Sequence, residues 1–438
     1  MICNRQIYPH SHIMIKHITL LLIAVATLFG FPQKNVAQRY HLVRRYITSD
    51  TLCVKIDSAR LFFPTNHEGF EVFYKKLDRQ LRHASNRINI LHIGGSHVQA
   101  GTLTNRLRTN LSNIKDSLNS FYTKAADRGT IFPFATMKTN CPTDYTTSTT
   151  GQWSASRCIS ATPDAVLGLS GAAIITTDSN ATLSVKIHDE AYAFEQIRVL
   201  GYSTSKGTHP LVIVGNDTIY PSLRDRQSGF LFHLPSPTTF CRMTFSNVGE
   251  YSPFVVRGLM PISKRNGITY NESGINGASV PSWLGCKAMK EELSLLPPDL
   301  VIFGIGINDA ATSYDGFSPE QFKDNYRMLI ERILTINPKA ALLFITNNDC
   351  NQTMRIRRPN LNTPRVEEAF KELAAEYNGC VFNLYQTMGG QGSAANWVSQ
   401  GLMQSDRVHF TNEGYNLIGD LIYNAIINDF TDYQRHKH

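Results

Sequence analysis

Hydrophobic positions along the chain change their period several times, and each change marks a new element. Phe70, Phe73, Leu77 and Leu81 recur at helical spacing and predict a helix over 69–84. A largely apolar run at 88–93, interrupted by Asn89 and His92, then reads as a buried strand, stopped by Gly94, Gly95 and Ser96. Leu107, Leu111, Ile114 and Leu118 fall on one face of a helix expected over 104–121. From 151 to 262 the character is different: short β-rich runs at 182–187, 196–200, 211–214, 230–234, 242–245 and 254–259 alternate with turn residues such as Gly215, Asn216 and Asp217. Short strands without intervening helices predict a β-sandwich.

Alternation of strand and helix resumes afterwards. Strands are expected at 267–271, 300–305, 341–346 and 381–384, and helices at 281–295, 318–336, 364–377 and 412–429. Ser318 and Pro319 make an N-cap and first helical position. This order predicts an α/β fold with helices on both faces of a parallel sheet. A connection as long as 151–262 between two of its strands far exceeds the usual few residues, so an inserted all-β domain is expected. The resulting division is a signal peptide at 1–37, a helical lead-in at 38–87, a first part of the α/β domain at 88–150, the insert at 151–262 and the second part at 263–438.

The signal-peptide reading comes from the apolar run at 18–31, which follows Lys16 and His17 and precedes Pro32 and the small residue Ala37. It is too short for a membrane span of about 20 residues. An uncleaved N-terminal anchor is the alternative. Export, to the periplasm or beyond, is expected, with no stable membrane insertion once the segment is removed. The formal charge of +8 includes Arg5, Lys16 and Lys34 of that segment, and no Lys/Arg run with interleaved aromatics argues for nucleic acid. With Cys3 set aside, the cysteines are odd in number and widely spaced, which argues against a disulfide framework; Cys141–Cys158 is the pair favoured, and the rest read as buried thiols. Neither a CxxC nor an HExxH spacing is present, so no metal or other cofactor is expected. The oligomeric state is not legible.

Chemistry enters with three separated motifs. Ser96 follows the strand 88–93 on a glycine turn, Asn308 follows the strand 300–305, and Asp406 precedes His409 by three residues, near enough to orient an imidazole. Acyl transfer needs a nucleophile, a base, an orienter of the base and an oxyanion donor, and all four residue types are present. Singly, each motif has an ordinary reading: a tight turn, a capped strand end, a loop before the last helix. Their joint order resembles the SGNH (GDSL-like) hydrolase family, over roughly 88–150 and 263–430. The resemblance implies a flavodoxin-like three-layer α/β/α fold. It also implies a triad of Ser96, His409 and Asp406, with an oxyanion hole formed by Ser96, Gly277 (within Ser273–Ser279) and Asn308. One departure is Gly95, where the family has Asp; a carboxylate there is expected to stiffen the turn. His97 is expected to pack rather than act as a second base, Asp309 to cap the following turn, and Gln99 is a candidate pocket residue.

The stretch from Leu91 to Gly101 further resembles exported bacterial peptidoglycan O-acetylesterases, some of which carry an inserted β-sandwich carbohydrate-binding module. The resemblance implies a cofactor-free serine esterase acting on an acylated glycan. Alternatives are an esterase of another acetylated polysaccharide, an O-acetyltransferase with the same triad, and a catalytically impaired glycan-binding protein.

Overall fold

The structure, a computed structural model, describes residues 40, 54–117, 119–132, 143–225, 229–353 and 355–436. The apolar run at 18–31, Cys53, Leu118 and Cys141 lie outside the described residues.

The central sheet runs Leu61–Phe62, Cys380–Phe382, Ala341–Ile345, Leu300–Gly304, Arg87–Gly94, Gly267–Gly274. All neighbours are parallel except the edge strand Leu61–Phe62, which pairs antiparallel with Val381 and Phe382. Numbered along the chain, the parallel strands stand in the order 2-1-3-4-5, the flavodoxin-like arrangement.

Alternation along each strand separates two cores. Ile302, Leu343, Ile90 and Phe382 point toward helices Glu68–His83, Thr102–Leu111 and Asn412–His436. Val301, Phe303, Leu342, Phe344 and Val381 point the other way, onto Met289–Leu295, Pro319–Leu334 and Thr363–Glu376. Burial on both faces explains why these strands read as continuous apolar runs.

Differences from the sequence reading have local causes. The helix expected over 104–121 ends at Leu111, because Ser112 and Asn113 favour side-chain bonding to the backbone; Asn113 caps the Thr109 carbonyl at 2.8 Å. Ile114 is buried nonetheless, in a small hairpin of Lys115–Asp116 with Phe121–Tyr122. The helix expected over 281–295 is two, Val280–Leu284 and Met289–Leu295, parted at Gly285 and Cys286. The strand expected to stop at 271 runs to Gly274, every residue buried, and the closing helix extends to His436.

Between Tyr145 and Ile262 two antiparallel sheets pack face to face, ordered 217–219, 209–214, 240–246, 182–187, 145–150 and 223–225, 229–238, 194–203, 254–262, 172–176, 154–157. Leu183, Val185, Ile197, Val199, Phe232, Met243 and Phe254 fill the space between them. The strands Tyr145–Thr150 and Ser154–Arg157 carry few apolar residues and so left no hydrophobic signal.

This module is fastened to the α/β core by buried charge. Arg108, on the helix behind the Ser96 turn, reaches Asp144 at 2.9 Å and Glu272 at 3.1 Å. Arg128 binds the same two carboxylates, at 2.7 Å to Glu272. Arg257 of the module pairs with Glu292 of the core at 2.6 Å, and Glu292 also accepts from the Leu169 N–H at 2.6 Å. Within the core, Arg87 pairs with Asp127 at 2.7 Å, and Asp127 accepts at 2.7 Å from the N–H of Ser263, the residue that follows the module's strand Phe254–Ile262.

Candidate active site

The strand order reverses between Arg87–Gly94 and Leu300–Gly304, the place where an open α/β sheet leaves a crevice at its carboxyl edge. Three glycines stand in register there, Gly94 beside Gly274 on one side and Gly304 on the other. A Cβ on Gly94 would sit 2.3 Å from Val98 Cγ2, and one on Gly274 would sit 2.3 Å from the Gln99 nitrogen. Their absence lets the short helix Ser96–Gln99 fold down across the strand ends, with Ser96 at its start.

Ser96 Oγ lies 2.9 Å from His409 Nε2, and His409 Nδ1 lies 2.8 Å from Asp406 Oδ2. The other Asp406 oxygen accepts from the Val408 N–H at 2.8 Å and the His409 N–H at 3.0 Å. This tight turn places Arg407 in the left-handed region, φ 53°, a backbone cost sustained by its neighbours. Asn351 holds the turn from the adjoining loop, its amide donating to the Asp406 carbonyl at 3.0 Å. Partial burial raises the Asp406 carboxyl, but the hydrogen bonds from the His409 ring and from the His409 and Val408 N–H groups outweigh it and hold the carboxyl below its ordinary value.

Serine and histidine are brought together by two clamped helices. Arg106, on Thr102–Leu111, grips Asp420 on Asn412–His436 through two bonds of 2.5 and 2.8 Å, and Asn110 adds a third at 2.8 Å.

The three residues line a cavity of about 420 Å³ together with Gly277, Asn308, Asn276, Gln352, Thr353, Gln404 and Tyr415. Gly277 has φ 82°, which a side chain would strain, and open space in front of it apart from Ile159 Cδ1, 3.9 Å from where a Cβ would stand. Asn308 donates to the Ala278 carbonyl at 2.8 Å, which fixes its amide and leaves a second N–H to face the cavity. Asp309 accepts from the Val280 N–H at 3.1 and 3.3 Å, so it caps the helix after Gly277; burial pushes its carboxyl up to about 6 against that bond. Gln99 does not line the cavity. It is buried and accepts from the Asn276 N–H at 2.6 Å, tying the Ser96 turn to the Gly277 loop. His97 bonds Tyr415 Oη through Nδ1 at 2.8 Å and packs on Phe410; burial lowers its pKa to about 3, so it stays neutral. At Gly95 a Cβ would lie 3.3 Å from Asn308 Nδ2. The Gln99–Asn276 bond anchors the turn where the missing carboxylate was expected to matter.

Gln352, Thr353, Gln404 and Tyr415 were not singled out from the sequence. Their signal was positional: the loop after a parallel strand at the carboxyl edge, and the residues flanking the Asp–x–x–His motif. Among the described residues, no group of three His, Cys, Asp or Glu could hold a metal ion, and no helix is long and apolar enough to cross a membrane.

Residues 250–417 match the model of the GDSL-like Lipase/Acylhydrolase family, a span that contains Gly277, Asn308, Asp406 and His409 but not Ser96. Over those residues the chain thus carries a GDSL-like acylhydrolase domain. Among solved structures, one titled "Peptidoglycan O-acetylesterase in action, 5 min" superposes with a TM-score of 0.68 at 19% identity, covering 84% of this chain and 99% of that one. An acetyl xylan esterase (TM-score 0.30, 19% identity, 36% and 81% covered) and a lipase/acylhydrolase from Enterococcus faecalis (0.29, 25%, 37% and 77%) are also similar. The first likeness extends over nearly the whole of the matched chain and shows a shared fold. No curated protein sequence matches.

Proposed function

We propose that Ser96, His409 and Asp406 are the catalytic triad of an esterase that removes O-acetyl groups from an extracytoplasmic glycan, peptidoglycan being the favoured polymer. The observation that carries the triad is the continuous chain of 2.9 and 2.8 Å contacts opening onto a cavity that Gly277 and Asn308 also line. Ser96 Oγ attacks the acyl carbonyl while its proton passes to His409 Nε2, and Asp406 holds the Nδ1–H of the resulting imidazolium. The oxyanion is received by the N–H groups of Ser96 and Gly277 and the free N–H of Asn308. Collapse expels the sugar oxygen with the proton from His409 and leaves acyl-Ser96. Water, deprotonated by His409, then attacks the acyl carbon, releases the carboxylic acid and returns the proton to Ser96.

Support for a glycan substrate is the fold shared, insert included, with the peptidoglycan O-acetylesterase, and support for export is the apolar run at 18–31. The module's part is to hold polymer near the site, and its Ile159 already stands at the Gly277 wall. Acetate release from O-acetylated peptidoglycan and from acetylated xylan, measured side by side, tests the reading. Faster release from peptidoglycan is expected; faster release from xylan would move the assignment to another polysaccharide, and none from either would remove the glycan substrate.

A further inference from the structure

The geometry points to a cross-link not otherwise assigned: we propose that Cys158 and Cys286 form a disulfide that staples the β-module to the hydrolase core beside the Gly277 wall.

The two cysteines come from different parts of the chain. Cys158 follows the module strand Ser154–Arg157 and opens the loop that returns at Ala172. Cys286 sits in the break between the core helices Val280–Leu284 and Met289–Leu295. That break and that loop are pinned together on every side. The Ala288 N–H donates to the Leu167 carbonyl at 2.9 Å, and the Leu169 N–H donates to Glu292 at 2.6 Å. The Cys158 N–H donates to the Gly171 carbonyl at 2.8 Å, and a Cβ on Gly171 would strike the Trp283 ring at 2.9 Å. Both thiols are buried in one apolar cluster with Trp283, Leu167 and Leu169. Within it the Cys286 thiol, which donates to the Ser282 carbonyl at 3.7 Å, is held well above its usual value by the neighbouring Cys158 and by burial. Cys241 lies in the sandwich core and Cys380 in the opposite face of the α/β core, so neither shares this cluster.

A disulfide needs two thiols brought into one position and an oxidant. The backbone and packing contacts supply the first. A low-molecular-weight disulfide supplies the second: the Cys158 thiolate displaces one thiol from it to give a mixed disulfide, and the Cys286 thiolate then displaces the other. Two protein thiols and one small disulfide become one protein disulfide and two small thiols. Because buried thiols exchange slowly, the link closes while the chain folds. An oxidising compartment is its natural setting, and to that extent it rests on the exported reading, but the chemistry itself is tested without it. The consequence is local as well as global. Ile159 is the next residue after Cys158, so the staple holds the Ile159 side chain in place beside Gly277.

The test is a disulfide map of the full chain refolded in oxidised and reduced glutathione, denatured and trapped with N-ethylmaleimide at mildly acidic pH, and digested. One linked peptide pair containing Cys158 and Cys286, lost on reduction, is expected. Both cysteines alkylated, or Cys158 joined to Cys141 instead, would overturn the proposal. A second measurement needs no refolding: the oxidised chain should melt roughly 5 °C or more above the reduced chain. Cys286→Ala should melt at the same temperature in either state; an unchanged oxidised–reduced difference in that variant would also overturn the link. Neither readout depends on what polymer the esterase attacks.

Discussion

Two sets of charged residues sit near Ser96, and they are built in opposite ways. The Asp406 and His409 side chains keep 22% of their surface open, touch the cavity, and are joined in a single line. Arg108, Arg128 and Glu272 are 1%, 0% and 4% exposed, and each carboxylate of their cluster meets two guanidinium groups. A group that must gain and lose a proton needs an accessible partner and few fixed charges around it. A group that must never change state is best buried among opposite charges, where removing one partner strands the other. The comparison teaches that charge beside an active site divides into moving and static parts, and that burial and partner number tell them apart.

Substitutions should separate the two. Ser96→Ala is expected to cut turnover on an aryl acetate by roughly 10⁴–10⁶-fold while leaving the urea midpoint unchanged; near wild-type turnover would remove the nucleophile. Arg128→Met should do the reverse, lowering stability by about 3–5 kcal/mol while the folded fraction keeps its rate. A large rate loss without destabilisation there would make the seam part of the catalytic apparatus. Asn308→Ala should cost about 3–4 kcal/mol in the barrier, seen in kcat more than KM, as for one oxyanion donor of three.

Asp309 lies between the two classes, half-buried and adjacent to Asn308. Its carboxyl, raised to about 6 from 3.8, keeps its proton longer in the folded than in the unfolded chain. Its contribution is therefore fully present below about pH 4 and lost as pH rises through about 6, on the order of 3 kcal/mol. Asp309→Asn should flatten that part of the stability–pH curve, and an unaltered slope would refute the assignment. The smallest effect is expected from Gly95→Asp. The added Cβ presses on the Asn308 amide, so turnover should fall by up to about tenfold, measured on an aryl acetate. A rise would mean that the turn lacks the anchor assigned to Gln99.

The core strands were legible because burial on both faces makes them uniformly apolar, as at Leu300–Gly304 and Ala341–Ile345. The Asp406 and His409 pair was legible because its geometry is local, three residues apart. The seam was not: Arg108, Arg128, Asp144 and Glu272 are scattered, and only the fold makes neighbours of them. Tyr145–Thr150 escaped because its alternation is of threonine and solvent rather than of apolar residues. The module's six clearer strands showed where a sandwich lay but not how firmly it was attached. Excising 151–262 would leave Glu292 buried without Arg257, so activity lost on deletion would not by itself report on polymer binding.

The Arg106–Asp420 clamp also bears on time. Ser96 is made 313 residues before His409, and only the docking of Asn412–His436 against Thr102–Leu111 brings them within 2.9 Å. A nascent chain therefore carries Ser96 through the synthesis of all the intervening residues with no His409 beside it. On the proposed triad, reactivity switches on as Asn412–His436 seats, so a chain cut short before that helix should be silent rather than partly active.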